Sequence, residues 1–398
     1  MQLSKYIKPR DRLSVLKTQQ TLKMARSAHA YVRGSTFKFY EWLAAQQSGT
    51  LPEGPSIWIC GDCHAGNLGP VADADGRVQV QIRDLDQTVI GNPAHDLIRL
   101  ALSLATASRG SDLPGVTTAK ILECMIDGYS QTLRGDHISK DMPKTIRTVV
   151  KKSTGRTWKQ LAKERIRDVK PTIPIGRRFW QLSNSERRNV EQLFAEKEMH
   201  KLATSLRSRD NDADVEVVDA AYWMKGCSSL GLLRLAALVK VGSGKSVEYS
   251  LMDIKEAVSG SAPHYTDSPM PRDNAERVVE GARQLSPYLG HRMVAARINK
   301  KSVFVRELLP QDLKFEIEQM TVSEAIGVAT FLAEVVGRAH ARQMDDATRK
   351  TWMRELSKGK TKSLDAPSWL WSSVIALIAA HEVAYLEHCR KYATNVAT

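Results

Sequence analysis

A set of side chains with chemical potential falls close together in one part of the chain. The order is Cys60-Gly-Asp62-Cys-His64-Ala-Gly-Asn67, then Asp84-Leu-Asp86, then Gly91-Asn-Pro-Ala-His-Asp96-Leu97. One carboxylate that orients a hydroxyl, with an amide oxygen and a second carboxylate that hold Mg²⁺ against nucleotide phosphates, is the set used in phosphoryl transfer. Mg²⁺ takes hard oxygen ligands and few of them from the protein, which an Asn and an Asp supply. A second pattern overlaps the first: Cys60-Gly-Asp-Cys63-His64 is Cys-x-x-Cys-His, the attachment pattern of c-type haem. Cys-x-x-Cys after a strand is also a redox dithiol pattern. A zinc site would need ligands beyond Cys60, Cys63 and His64.

The elements around these residues set where they can point. Ser56 to Cys60 is a short apolar run bounded by Gly54-Pro55 and Gly61, the signature of a buried strand. Val78 to Ile82 reads as a second strand after the turn Ala74-Asp75-Gly76. Two strands ending at Gly61 and Asp84 would bring Asp62, Asn67 and Asp84 together at their ends. Helical periodicity covers residues 11 to 47 before them and 96 to 107, 116 to 133 and 185 to 205 after them. From Asp214 to Gly260 the chain turns to short β-branched runs, with a hairpin at Gly242-Ser243-Gly244. A helix at 274 to 286, strands at 293 to 298 and 302 to 308, and helices at 322 to 341 and 369 to 389 complete it. The order is helical block, β-rich block, helical block.

Gly-Asp-x-His-x-x-Asn, Ile-x-Asp-x-Asp and Gly-x-Pro-x-x-Asp-Leu resemble, in that order, the catalytic core of aminoglycoside-phosphotransferase-like kinases. The resemblance implies that Asp62 is the catalytic base, that Asn67 and Asp84 bind Mg²⁺, and that Asp96 is a buried carboxylate bracing the catalytic loop. Asp86 would take a second metal or a structural role. The chain departs from that pattern at Cys60, where His is frequent, and at Arg83, where a small or apolar residue is common.

In ordinary kinases a glycine-rich loop, a strand lysine and a helical glutamate precede this core. Here they follow it. Lys225-Gly226-Cys-Ser228-Ser229-Leu-Gly231 sits between apolar runs, where backbone N–H groups could cradle phosphates. Leu251-Met-Asp-Ile254-Lys255-Glu-Ala257 resembles the strand carrying the phosphate-pairing lysine, and Glu280 (or Glu276) is that lysine's expected partner. The implied fold is α+β: a bilobal protein-kinase-like fold, circularly permuted. Its expected parts are a helical lobe with the catalytic and metal loops at 1–150, a basic helical segment at 151–212, a β-rich nucleotide lobe at 213–320, and helices at 321–398 packing on the helical lobe. Tyr31-Val-Arg33-Gly34, Cys60 to Asn67, Asp84 to Leu97, Gly226 to Gly231 and Lys255-Glu256-Ala257 together resemble the bacterial domain-of-unknown-function family 2252.

The expected function is transfer of the γ-phosphate of ATP, with Mg²⁺, to an acceptor hydroxyl. The rival expectations are a pseudokinase that senses nucleotide or binds nucleic acid without turnover, and nucleotidyl transfer on the same scaffold. The net charge of +14 is concentrated between Arg134 and Asp210, where 20 Lys or Arg face 9 Asp or Glu. Such a field favours an anionic acceptor or a nucleic acid. A balance of 42% hydrophobic and 26% charged residues excludes global disorder. The residues Met1 to Leu13 lack the apolar core of a signal peptide, and five scattered cysteines fit a reducing compartment. A cytoplasmic protein without a membrane span is therefore expected.

Overall fold

A computed structural model describes residues 7–110, 113, 115–135, 142–154, 172–227, 229–244, 247–265, 267–309, 311, 320–359 and 366–392. Three helices open the chain, α1 (Pro9–Met24), α2 (Ala28–Gly34) and α3 (Thr36–Ala44). The single helix expected over 11 to 47 is thus broken, because Ser27 caps α2 by accepting from the Ala30 N–H. Next come β1 (Ile57–Ile59), a 3₁₀ turn (Ala65–Asn67), β2 (Leu68–Ala72), β3 (Val78–Ile82) and β4 (Val89–Gly91). β1 pairs antiparallel with β4, and β2 with β3. Helices α4 (Ala94–Gly110), α5 (Gly115–Arg134) and α6 (Lys144–Thr154) follow.

A six-stranded antiparallel sheet forms the other layer, in the order β5-β6-β7-β8-β10-β9. Its strands are β5 (Phe179–Gln181), β6 (Val215–Trp223), β7 (Arg234–Val241), β8 (Glu248–Glu256), β9 (Met293–Ile298) and β10 (Lys301–Leu308). Between β5 and β6 lie α7 (Asn184–Phe194) and α8 (Lys197–Thr204), and between β8 and β9 lie α9 (Asn274–Leu285) and the short α10 (Pro287–Gly290). The chain ends with α11 (Val322–Ala341), α12 (Asp346–Leu356) and α13 (Ser368–Tyr392).

Strand periodicity divides the sheet's two faces. Met252 and Ile254 of β8 join Trp180, Val190, Leu193, Met199 and Val239 in a core beneath α7 and α8. Leu251, Asp253 and Lys255 point to the opposite face, where Leu251 packs with Phe179, Trp223 and Leu238 and Lys255 reaches Asp84 and Asp86. The described part of 172–212 is therefore built into the sheet lobe: β5 is its edge strand and α7 and α8 cover it. This differs from a separate basic segment with the sheet beginning at 213. The cause is apolar, since Trp180, Leu193 and Met199 are buried among the positive charges. Residues 136–141 and 155–171 of that basic stretch lie outside the described residues.

The helical lobe has one continuous core running from Val32 to Ile378, so chain-distant helices share it. α11 packs along α5, and α13 packs on α4 and α2. Among the described residues α13 is the one helix long and apolar enough to cross a membrane. In the structure its Trp369, Leu370, Val374 and Leu377 are buried in the lobe's core.

Candidate functional site

The loop after β1 is anchored from below by one carboxylate. Asp96, in the first turn of α4, accepts the Cys60 N–H at 2.7 Å and the Gly61 N–H at 3.0 Å. His340 of α11 lies 3.2 Å from the same carboxylate, and its other ring nitrogen is 2.9 Å from the Tyr129 hydroxyl. Gly61 has a φ of +75°, and a Cβ there would stand 2.1 Å from the Gln87 carbonyl oxygen, so no larger residue fits. The bracing expected of Asp96 is what these hydrogen bonds do.

Held in this way, the loop presents Asp62 and Asn67 to a cleft between the layers. Arg99, from α4 and fully buried, donates to Asp62 Oδ1 at 3.0 Å and to the Val32 carbonyl at 2.7 Å. Burial pushes the Asp62 carboxyl up, and the Arg99 charge opposes that shift. The Asn67 side-chain amide donates to the Asp62 carbonyl at 3.0 Å, which aims its oxygen away from the loop. Asn67 also accepts the Arg83 N–H on its own carbonyl at 2.7 Å, tying the two loops together one residue before Asp84.

Across the cleft, Lys255 of β8 approaches both carboxylates of the Asp84-Leu-Asp86 turn. Its ammonium lies 3.3 Å from Asp84 Oδ1 and also pairs with Asp86 Oδ2. Burial and the neighbouring Asp84 charge raise Asp86. Burial acts upward on Asp84 too, but Lys255, Arg306 and Arg234 hold it below the usual carboxylate range. Asp62, Asn67, Asp84, Asp86, Ser229 and Gly231 all line one cavity of about 360 Å³, with Lys17 of α1 at its edge.

These donors fit a hard cation. Asn67 supplies an amide oxygen and Asp84 and Asp86 supply carboxylates, and Asp86 Oδ1 is buried without a hydrogen-bond partner among the described residues. Asn67 and Asp84 would be the residues to hold Mg²⁺, and Asp86 lines the same cavity.

The turn from Gly226 to Gly231 lies over this cavity, held down by α1. Lys23 donates to the Gly226 carbonyl at 3.0 Å, and Gln20 to the Cys227 carbonyl at 3.0 Å. Gly231 has a φ of +110°, a backbone state that few other residues adopt. Ser228 lies outside the described residues.

Glu280 is not brought to Lys255. α9 buries the arc carrying Ala275, Val278, Ala282 and Leu285, and the 100° step per residue puts Glu276 and Glu280 on the other side. Glu280 instead pairs with Arg283 and Gln284 of its own helix. The side chain that α9 sends into the site is Arg277, which donates to the carbonyls of Asp86 at 3.0 Å, Val258 at 2.8 Å and Thr88. Burial lowers its pKa to about 10. Arg277 binds the backbone around the acidic turn, which no spacing in the sequence indicated.

A second buried ion cluster was also not foreseen. Arg234 of β7 donates to Asp253 Oδ1 and Oδ2 at 2.8 and 2.6 Å, and Arg306 of β10 reaches Asp253 at 3.4 Å and the Arg83 carbonyl at 2.9 Å. The alternation Leu251, Asp253, Lys255 was the available signal: two charges at period two inside an apolar strand.

The cysteine pattern resolves differently. Cys60 and Cys63 are both fully buried; the contact with Cys63 and burial raise the Cys60 thiol, while the contact with Cys60 lowers Cys63 and burial with the neighbouring carboxylates outweighs it. They lie with Asp96 close enough to share an ion. However, both Asp96 oxygens already accept backbone N–H groups, and His64 Nδ1 accepts the Gly66 N–H at 3.1 Å. The thiols are closed off from solvent, and His64 is not part of the group.

The family model described as an uncharacterized protein conserved in bacteria (DUF2252) matches residues 12–391. Comparisons with curated proteins and with solved structures found no match. A match that takes in the Asp62 loop, the Asp84 turn, the Gly226 loop and Lys255 alike covers nearly the whole molecule, and the chain belongs to the DUF2252 family.

Proposed function

We propose that the protein is a Mg²⁺·ATP-dependent phosphotransferase with a permuted protein-kinase-like arrangement. The observation that carries this is the convergence of Asp62, Asn67, Asp84 and Asp86 on one cavity wall, with Lys255 closing on the last two from the sheet. The order of parts supports it as well: a turn between β6 and β7, a lysine on β8, a helix, and then β9 and β10.

In this reading the triphosphate lies beneath the Gly226–Gly231 turn, with Lys255 on the α- and β-phosphates. Mg²⁺, when bound by Asn67 and Asp84, neutralises charge on the phosphates. Asp62 accepts the proton of the acceptor hydroxyl as that oxygen bonds to the γ-phosphorus. The bond from the γ-phosphorus to the β–γ bridging oxygen breaks, and ADP leaves with that oxygen. A carboxyl raised by burial is a better base than one in water, and Arg99 keeps its ionised form available.

The test is a calorimetric titration of ATP, with and without Mg²⁺, into the wild type and Asp84→Asn. Binding that requires Mg²⁺ and weakens in the variant is expected. Absence of binding in every condition would overturn the proposal.

A further inference from the structure

A second cavity, of about 270 Å³, adjoins the first. Asp62, Asn67, Asp84 and Ser229 border both cavities, so the groups assigned to transfer stand between them. The second cavity otherwise has a different lining: Lys23 and Arg26 at the end of α1, Arg33 of α2, and His64.

Its charge is positive and unspent. Among the described residues neither Arg26 nor Arg33 has a carboxylate partner, and Arg33 Nε is buried with no acceptor at all. Lys23 uses one hydrogen bond, to the Gly226 carbonyl. The two carboxylates on the wall do not neutralise these cations, because Asp62 is paired with Arg99 and Asp84 with Lys255. His64 adds no charge of its own, since burial and Arg33 keep it neutral. A buried guanidinium nitrogen without an acceptor is costly, and an oxyanion is the ligand that relieves it. The Arg33 guanidinium lies close against Gly66, where a Cβ would stand 2.9 Å from it.

We propose that this cavity binds the phosphate-acceptor, and that the acceptor is a small phosphomonoester carrying a free hydroxyl. Arg33 and Arg26 hold its existing phosphate and turn the hydroxyl toward Asp62. The volume admits a small metabolite and excludes a folded partner. The word acceptor rests on the transferase reading; the anion site itself does not.

The experiment is calorimetry on the full chain with glycerol 3-phosphate as probe and glycerol as uncharged control, in saturating Mg²⁺ and a non-hydrolysable ATP analogue. Glycerol 3-phosphate should bind the wild type and glycerol should not. Arg33→Gln should weaken the probe by about tenfold or more while leaving affinity for the nucleotide analogue within about threefold. Arg26→Gln, at an exposed position, should weaken the probe by a smaller factor with an unchanged thermal midpoint. If the probe fails to bind, or if both variants lose nucleotide and probe together, the proposal is overturned. If the analogue fails to bind the wild type while the probe binds through Arg33, the transferase reading falls and the anion site stands.

Discussion

Lys255 Nζ lies 3.3 Å from Asp84 Oδ1, across the gap between a sheet strand and a hairpin of the helical lobe. The two residues are separated by most of the middle of the chain, yet one ammonium serves both Asp84 and Asp86. Lys255 is buried, whereas Asp84 opens into the cavity, where water screens part of the attraction. Lys255→Met should therefore affect nucleotide binding more than folding. Its affinity for Mg²⁺·ATP should fall by about tenfold or more, with a thermal midpoint close to wild type. A variant that binds nucleotide normally would show that the lysine is only a counter-charge for the acidic turn.

Asp96 is expected to behave in the opposite way. It touches neither cavity and holds two buried N–H donors and His340. Asp96→Ala would leave those donors unsatisfied, and it should cost about 2–5 kcal/mol in urea unfolding. Asp96→Asn keeps one acceptor and should cost less. A wild-type midpoint in Asp96→Ala would remove its bracing role.

The buried histidines set an acid limit. His381 is nearly inaccessible, its Nδ1 is 2.8 Å from the Leu377 carbonyl, and burial lowers its pKa to about 4. Burial likewise lowers His29 and His95 to about 4. In the unfolded chain each titrates near about 6.5, so between pH 6.5 and 4 the unfolded state binds the extra protons. Stability therefore falls as pH drops through that window, by an amount on the order of 2–3 kcal/mol per histidine at its acid end. Urea midpoints measured from pH 7 to pH 4.5 should show this slope, and His381→Leu should reduce it by about one proton. An unchanged slope in that variant would mean His381 protonates freely in the fold.

Thiol chemistry separates the two readings of Cys60-Gly-Asp-Cys63-His64. Both thiols are buried and raised, while Cys124, Cys227 and Cys389 are partly exposed. An aromatic disulfide reagent should label the latter three in the native protein and reach Cys60 and Cys63 only on unfolding. Rapid native labelling of Cys60 or Cys63, or a bound metal that protects them, would revive the cysteine-centred reading.

Much of this site was legible because its parts obey local rules. A short apolar run before Gly61 and β-branched runs from Asp214 onward carry their own periodicity, so β1, β3 and β6 to β10 lie where patterning puts them, whereas the edge strand β5 does not. Asp62, Asn67 and Asp84 are loop residues at strand ends, and spacing alone brings them to one wall. What escaped is what depends on packing between distant segments. Arg99 meets Asp62 only because α4 lies under the loop, and Arg277 meets the acidic turn only because α9 crosses it. The partner assigned to Lys255 failed for the same reason. A glutamate in the right helix says nothing of which arc that helix buries, and apolar residues at 275, 278, 282 and 285 decided it.

Asp62 is the sharpest test of the chemistry. Its carboxylate is positioned by Arg99 and its own carbonyl by Asn67, so Asp62→Asn preserves shape while removing the base. Nucleotide affinity should stay within about threefold, and transfer to any acceptor should fall by about 10²–10⁴-fold. Arg99→Leu provides the complementary case. It strips the buried partner from Asp62, leaves the carboxylate dependent on desolvation alone, and should move the acid limb of the transfer–pH profile upward. Loss of nucleotide binding in Asp62→Asn would place Asp62 among the metal ligands rather than at the acceptor hydroxyl. Transfer at the wild-type rate would leave orientation by the cavity walls as the whole of its contribution.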